Sequence, residues 1–351
     1  MYRRLPAIKT MLMLMLLCNL RCTVHAADAL AFSQSVATAP VTFQGGLHRP
    51  VKIVTIYPDQ QASSYWRRNL VSMTARLEEL NIRYKWTHFS SQAHQTRLQE
   101  QQLAKALQLK PDFLVINIDS SRIRKLLGRV LYRGTPKIIV PNQTIPNTQW
   151  QDYPPLLYTG FDHEEGSRML ATHLFDTYGN DARYAIICGT NGQVSQLRTQ
   201  GFHQIAIDRQ APPPLVEFFT DQTPDKIYRA ASDIVNSYNQ VDFIFCTTTD
   251  IALNTSRALK DLGRKDAIAI NGWGGGEKEL EALQQGDLAA TVMRMNDDSG
   301  VSIAEAVKFV LEDRQQQIPR LFCGTMKLLS AANLCQIEDL RKQAFRYSEA
   351  Q

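Results

Sequence analysis

The sequence has no apolar run long enough to cross a bilayer. A membrane-spanning helix needs about 20 apolar residues, whereas the apolar run of residues 11–17 is far shorter and no later run is longer. The basic residues Arg3, Arg4 and Lys9 precede this run and the small residue Ala26 follows it, an arrangement typical of a secretory signal. We therefore expect cleavage near Ala26, export of the mature chain and no direct membrane insertion.

Charge of one sign is not in excess either. The formal net charge of +5 includes Arg3, Arg4, Lys9 and Arg21 of the signal, which contains no acid. Four of the 39 basic residues thus leave with the signal, and 35 remain against 34 acidic ones. Proteins that bind nucleic acid concentrate positive charge, so we expect no nucleic-acid partner.

Catalytic and metal-binding motifs are also missing from the sequence. The histidines show no H-E-x-x-H spacing, and neither G-x-S-x-G nor a phosphate-binding loop occurs. His163 lies close to three acids, Asp162, Glu164 and Glu165, which we attribute to the start of a helix, where negative charge is favourable. The sequence thus predicts no enzyme activity, no metal and no cofactor.

Cysteine is sparse, with four residues left after signal cleavage. Cys188 and Cys246 each end an apolar run and are expected to be buried thiols. Cys323 and Cys335 lie twelve positions apart near the end of the chain. An oxidising compartment permits a disulfide between them, but their spacing leaves the pairing open.

Strand-like and helix-like segments, by contrast, alternate along the whole mature chain. Such alternation predicts an α/β fold of doubly wound parallel sheets, and about 325 mature residues favour two domains over one. The predicted strands are 51–57, 82–89, 112–118 and 137–140 in the first unit, and 156–160, 184–188, 215–219, 243–246, 267–270 and 289–293 in the second.

Polar and aromatic residues recur where these strands end. Gln61, Ser63 and Trp66 follow the first strand, Asn142 follows the strand 137–140, and Thr249 follows the strand 243–246. Each of them alone is more typical of a helix cap, a turn or an apolar helix face. Their recurrence favours a ligand site, because the carboxyl ends of parallel strands lie at one edge of a sheet.

Two arginines and a tryptophan extend this set. Trp273 stands in the glycine-rich segment 271–276, Arg294 directly follows the last predicted strand of the second unit, and Arg198 lies in the first turns of a predicted helix. Paired guanidinium groups favour an anion with paired oxygens, such as a carboxylate, a phosphate or a borate. A buried core tryptophan and two surface ion pairs are the structural alternative.

These motifs together resemble the periplasmic autoinducer-2-binding proteins of the LuxP type, within the ribose-like class of periplasmic binding proteins. The resemblance runs from about Val51 to Tyr347. Its densest motifs are Tyr57-Pro-Asp-Gln-Gln61, Gly160-Phe-Asp-His163, Glu165-Gly-Ser-Arg168, Asn271 to Gly276, Val292-Met-Arg-Met-Asn-Asp-Asp298 and Ala344-Phe-Arg-Tyr-Ser348.

The resemblance implies a type I periplasmic binding protein with two α/β lobes joined by three crossover segments. With the signal at 1–26 and a leader at 27–50 already read from the residues, the resemblance implies a first lobe of residues 51–158 and 292–316 and a second lobe of residues 159–291 and 317–351. The implied ligand is autoinducer-2 as its furanosyl borate diester, in which boron belongs to the ligand and is no cofactor. The implied partner is the periplasmic domain of a sensor histidine kinase of the LuxQ type.

The ligand contacts implied by the resemblance are Gln61, Ser63, Trp66, Asn142, Arg198, Thr249, Trp273 and Arg294. Residues 188–193 and 323–335 depart from the family pattern. The alternative function is a transport binding protein that delivers a pentose, or unborated autoinducer-2, to an ATP-driven importer. A secreted hydrolase is disfavoured by the missing catalytic motifs.

Overall fold

The computed structural model describes residues 29–58, 64–92, 95–118, 120–190 and 192–349, which form two α/β lobes. The strands are β1 (Val51–Pro58), β2 (Tyr84–Ser91), β3 (Phe113–Ile116), β4 (Lys137–Pro141), β5 (Leu157–Gly160), β6 (Tyr184–Cys188), β7 (Glu217–Phe219), β8 (Phe243–Cys246), β9 (Ala269–Ile270), β10 (Ala290–Arg294), β11 (Leu321–Cys323) and β12 (Met326–Ser330). A six-stranded parallel sheet has the order β11-β5-β4-β3-β1-β2, and a four-stranded parallel sheet has the order β7-β6-β8-β9. The predicted fold class is therefore confirmed.

Helices connect and cover these strands. They are α1 (Tyr65–Glu79), α2 (Thr96–Gln108), α3 (Ser121–Arg133), α4 (His163–Tyr178), α5 (Gln193–Asp208), α6 (Pro224–Ser237), α7 (Thr249–Asp261), α8 (Glu277–Gln284), α9 (Asp297–Leu311) and α10 (Ile337–Ala344). We call the six-stranded sheet with α1–α3 and α9 the first lobe, and the four-stranded sheet with α4–α8 and α10 the second lobe. Apolar cores lie on both faces of each sheet, which explains why most of the strands are continuously apolar.

The chain crosses between the lobes at 160–163, 294–297 and 323–326 in the described part of the sequence. The second of these crossings runs from β10, which pairs antiparallel with β12, to α9, which packs on α1 of the first lobe. These crossings fit the three segments that the resemblance implied. The lobe limits proposed from the sequence stay a prediction.

The leader is ordered against the first lobe, which the sequence did not indicate. Residues 29–37 are helical, and Phe32 is fully buried with its ring 5.3 Å from that of Phe309. Farther along the leader, the backbone N–H of Phe43 donates to the carbonyl of Leu80 at 2.9 Å. These contacts place Phe32 and Phe43 in the core of the first lobe.

The carboxyl-terminal segment returns to the same lobe. Asp297, at the start of α9, accepts hydrogen bonds from the backbone N–H groups of Tyr347 and Ser348 at 2.7 and 3.0 Å. Arg68 lies 3.7 Å over the Phe345 ring and donates to the carbonyl of Ser348 at 3.0 Å. The Ala344 to Ser348 motif therefore joins the end of α10 to the first lobe.

The four cysteines of the described residues are free thiols. Cys323 and Cys335 are free and exposed, so the disulfide considered from their spacing is not formed, while Cys188 and Cys246 are buried thiols as expected. Among the helices of the described ranges, none combines the length and apolar character needed to cross a membrane. The signal, at residues 1–26, lies outside the described residues.

A buried ion pair between Arg76 and Glu305 holds α1, α9 and the leader together. The two side chains approach to 2.7 Å and are each 1% exposed, and Arg76 also donates to the carbonyls of Ser35 and Thr38. We expect Arg76→Met to lower the free energy of unfolding by about 3 kcal/mol or more, because it leaves the carboxyl group of Glu305 buried without its partner. Denaturant titration measures this change.

The matched control for that measurement is Arg49→Met. Arg49 pairs with Asp112 at 2.6 Å, but its side chain is 58% exposed, and exposed pairs contribute about 1 kcal/mol or less. Equal losses in the two variants would contradict the role assigned to the buried pair.

Candidate functional site

Six of the eight predicted ligand contacts lie in the described residues, and the structure brings them together where the lobes meet. Trp66 follows β1 in the first turn of α1, Asn142 follows β4, and Thr249 begins α7. Trp273 follows β9, Arg294 ends β10, and Arg198 lies on α5 after β6. Gln61 and Ser63 lie outside the described residues. That these side chains contact a ligand stays a prediction.

Trp273 forms the centre of the site. Its side chain is 1% exposed, and its indole N–H donates to Ser167 Oγ at 3.0 Å. Arg198 stacks on the ring with its Cζ 3.4 Å from the centroid, while the Cζ of Arg294 lies 5.8 Å from it. A cation over an indole face is attracted by the ring's quadrupole, so Trp273 holds two guanidinium groups in one small volume.

The glycines after Trp273 let Arg294 approach the loop. Gly274 and Gly275 have φ angles of +149° and +64°, which side-chain-bearing residues rarely adopt. A Cβ atom on Gly274 would lie 2.9 Å from Nη2 of Arg294, and the backbone N–H of Arg294 donates to the carbonyl of Gly274 at 3.3 Å. The segment is thus a close-packing loop around a guanidinium group, and not a phosphate loop.

Arg294 connects the glycine loop to aromatic residues of the first lobe and the first crossover. Its Cζ lies 4.6 Å from the Tyr65 ring centroid and 5.7 Å from that of Phe161. Tyr65 in turn contacts Trp66, with ring centroids 4.9 Å apart. The predicted residue Trp66 therefore reaches the arginine through its neighbour Tyr65, which the sequence analysis did not select.

His163 links Arg198 to Asn142. Nε and Nη2 of Arg198 both lie 3.4 Å from His163 Nδ1, and His163 Nε2 lies 3.4 Å from the Asn142 carbonyl. A guanidinium group can only donate, so Nδ1 accepts and the ring proton resides on Nε2, which donates to the carbonyl. The neighbouring acids have other partners: Asp162 caps α4 by accepting from the Glu165 N–H at 3.0 Å, and Glu164 and Glu165 pair with Arg168. The described residues contain no cluster of metal ligands.

Burial sets the electrostatics of the site. Burial, reinforced by the positive charge of Arg294, holds the pKa of Arg198 well below its usual range, and the negative charge of Glu279 opposes this shift. Burial also lowers the pKa of Arg294, and Glu279 opposes this shift as well. Both shifts mean that the charged guanidinium groups lack part of the stabilisation that water would give them. An anion placed between them would restore it.

Several buried polar atoms of the site have no hydrogen-bond partner among the described residues. They are Nε of Arg294, Oδ1 of Asn142 and both side-chain polar atoms of Asn296. Asn142 also has a φ angle of +58°, a left-handed conformation that asparagine tolerates better than most residues. Buried polar groups in folded proteins are nearly always paired, so these atoms are suited to a ligand that offers both donors and acceptors.

Thr249, the remaining predicted residue, lies on the side of the site that belongs to the second lobe. Its side chain is 2% exposed, and its hydroxyl donates to the carbonyl of Trp273 at 3.4 Å. Sequence reasoning missed His163 as a site residue, although it had noted the motif that contains it. It also missed Glu279, because an acidic residue in the first turn of a helix is common and does not by itself indicate a site.

Comparison with known proteins gives one family and several similar structures. Residues 53–315 match the family described as periplasmic binding protein domain. A D-apiose import binding protein from Paraburkholderia graminis is 22% identical over 227 residues, which cover 58% of this chain and 71% of that protein.

Solved structures show the same fold at low sequence identity. A carbohydrate transporter solute-binding protein from Agrobacterium radiobacter in complex with D-arabinose has a TM-score of 0.73 at 17% identity, covering 84% of this chain and 99% of that one. The fructose-binding periplasmic domain of a hybrid two-component system has a TM-score of 0.72 at 14% identity, covering 84% and 97%. At such identities the likeness establishes the fold only.

The buried His163 predicts a pH dependence of stability. Burial and the charge of Arg198 hold its pKa well below the ordinary value of 6.5, so below about pH 6.5 the unfolded chain binds a proton that the folded chain does not. We expect the free energy of unfolding to fall as pH decreases, by up to about 1.4 kcal/mol per pH unit from this residue. Denaturant titrations between pH 7.5 and 5.5 measure the slope.

His163→Gln should flatten that slope, since the substituted side chain does not titrate. His173, whose pKa burial also lowers, is present in both proteins and cancels in the comparison. Identical slopes for the two proteins would show that His163 can be protonated in the folded state.

Proposed function

The chain belongs to the family of periplasmic binding protein domains, and from this membership we propose that it captures a small sugar-like ligand between its lobes without transforming it. The absence of catalytic motifs from the sequence is consistent with a binding role. We propose further that the ligand carries negative charge and that the predicted contacts, including Gln61 and Ser63, surround it.

The observation that supports an anionic ligand is the burial of Arg198 and Arg294 on one tryptophan. The two side chains are 5% and 4% exposed, and burial lowers the pKa of both. A neutral pentose would leave both buried charges poorly compensated. Anionic oxygens placed between them would form charge-assisted hydrogen bonds, the strongest class available here.

The arrangement also suggests how binding is signalled. Tyr65 and Trp66 belong to the first lobe, Arg198, Thr249 and Trp273 belong to the second, and Arg294 begins a crossover. A ligand that contacts both sides stabilises the closed arrangement over an open one. The response can be no larger than the difference in affinity between the two states.

Delivery to an ATP-driven importer is the use that the relatives favour. The curated relative is an import binding protein for D-apiose, and the arabinose-bound structure is that of a transporter component. On this proposal the bound solute is a pentose or a similarly sized sugar derivative, and the closed form presents it to a permease.

The arginine pair favours a second candidate. The furanosyl borate diester of autoinducer-2 combines a sugar-like ring with a negatively charged borate, and both properties suit this cleft. On this proposal the protein is a periplasmic receptor that regulates a sensor histidine kinase of the LuxQ type. Trp273 would contact the ring, while Arg198 and Arg294 would face the borate.

Calorimetry with purified mature protein distinguishes the two candidates. The titrants are D-apiose, D-arabinose, and the autoinducer-2 precursor with and without borate. Tight binding of the precursor only when borate is present supports the receptor. Equal affinity for the precursor in borate-free buffer would contradict the borate diester as the ligand. Tight binding of a neutral pentose would support the importer and contradict an anionic ligand.

Substitution of Arg294 tests the charge directly. We expect Arg294→Met to weaken binding of the tightest titrant by at least about tenfold, roughly 1.5 kcal/mol, because a charge-assisted hydrogen bond is lost. Arg229→Met is the control, since Arg229 is exposed on α6 and should leave the affinity unchanged. An unaltered affinity of the Arg294→Met protein would show that Arg294 does not contact the ligand.

A further inference from the structure

The carboxylate of Glu279 is fully buried directly behind the ligand site. Glu279 lies in the first turn of α8 and is 0% exposed. Its Oε1 accepts from the backbone N–H of Trp273 at 2.9 Å, and its Oε2 accepts from the N–H of Gly275 at 2.8 Å. A third hydrogen bond comes from the hydroxyl of Thr291 on β10 at 2.5 Å. One carboxylate thus fastens both ends of a three-residue loop to the neighbouring strand.

The loop is built to admit this carboxylate. A Cβ atom on Gly272 would lie 2.6 Å from Oε2 of Glu279 and 2.8 Å from the Thr291 hydroxyl. The space that a side chain at position 272 would fill is therefore occupied by the carboxylate. A glycine at this position has a packing reason that is separate from any contact with a ligand.

All three partners of Glu279 are donors, so the position requires a group that only accepts. A carboxylate satisfies this, whereas the amide of glutamine would turn an NH₂ group toward at least one N–H donor. The charge matters as well, because the negative charge of Glu279 opposes the lowering of the pKa of both Arg198 and Arg294. The hydrogen-bond geometry and the charge therefore both favour a carboxylate at position 279.

We propose that Glu279 is the positioning residue of the ligand site: it fixes the 273–275 loop so that Trp273 lies under Arg198 while Gly274 leaves room for Arg294. This proposal rests on the proposed function of the cleft. It assigns Glu279 no direct contact with the ligand. Its effect on binding acts through the tryptophan and the two guanidinium groups.

The test is an NMR measurement on ligand-free protein, read at the indole N–H of Trp273. That group donates to Ser167 Oγ, and its resonance is assigned among those of the four tryptophans by its loss in Trp273→Phe. Glu279→Gln should shift or broaden this resonance and leave the other three unchanged. Thr291→Val, which removes one hydrogen bond to the same carboxylate but neither loop contact, should leave it in place.

Affinity provides the second readout, with the autoinducer-2 precursor plus borate and D-arabinose as probes. For whichever probe binds the unsubstituted protein, Glu279→Gln should weaken binding by at least about tenfold and Thr291→Val by less than about threefold. If neither probe binds the unsubstituted protein, the proposed ligands fail while the NMR result still decides the role of Glu279.

A third variant, Glu279→Asp, keeps the charge but shortens the side chain by one methylene, so that it cannot reach both loop N–H groups. It should reproduce the change at the Trp273 resonance, and it replaces Glu279→Gln as the deciding variant if that protein does not fold. A folded Glu279→Asp or Glu279→Gln protein with an unaltered Trp273 resonance would overturn the proposal.

Discussion

Two buried positive charges, those of Arg198 and Arg294, lie close together where the lobes meet, and the rest of the site depends on how the chain stabilises them. Arg198 and Arg294 share the Trp273 ring, and neither forms an ion pair within 4.0 Å among the described residues. Their charges are stabilised instead by the face of the Trp273 ring, by the carbonyl of Thr247, which accepts from Arg198 at 2.6 Å, and by the more distant carboxylate of Glu279. His163, which its lowered pKa keeps neutral, also contacts Arg198. This incomplete compensation is the physical reason to expect an anion.

The two lobes bring these charges together from distant parts of the sequence. Arg198 comes from the second lobe, whereas Arg294 stands where β10 gives way to the crossover into α9. Three residues farther on, Asp297 holds the carboxyl-terminal segment through Tyr347 and Ser348. The candidate site and the anchoring of the chain end therefore share one crossover segment.

Much of the fold could be predicted because parallel strands buried on both faces are continuously apolar. The strands Tyr184–Cys188 and Phe243–Cys246 have the predicted bounds. The predicted strand ends also indicated where polar residues would lie close together. The role of Glu279 could not be predicted, since its partners are backbone N–H groups that carry no sequence signal. The packed leader was missed for a related reason, because Phe32 and Phe43 are spaced without regular periodicity. The disulfide between Cys323 and Cys335 was considered from spacing alone, and spacing does not define distance.

The measurement that tests the central claim most directly is a crystal structure of the mature protein with its tightest natural ligand, isolated from the periplasm of its own host. We expect an anionic group with oxygens within about 3.2 Å of guanidinium nitrogens from both Arg198 and Arg294, and a ligand ring against Trp273. A neutral sugar in the cleft, with both arginines still contacting only protein groups, would contradict it.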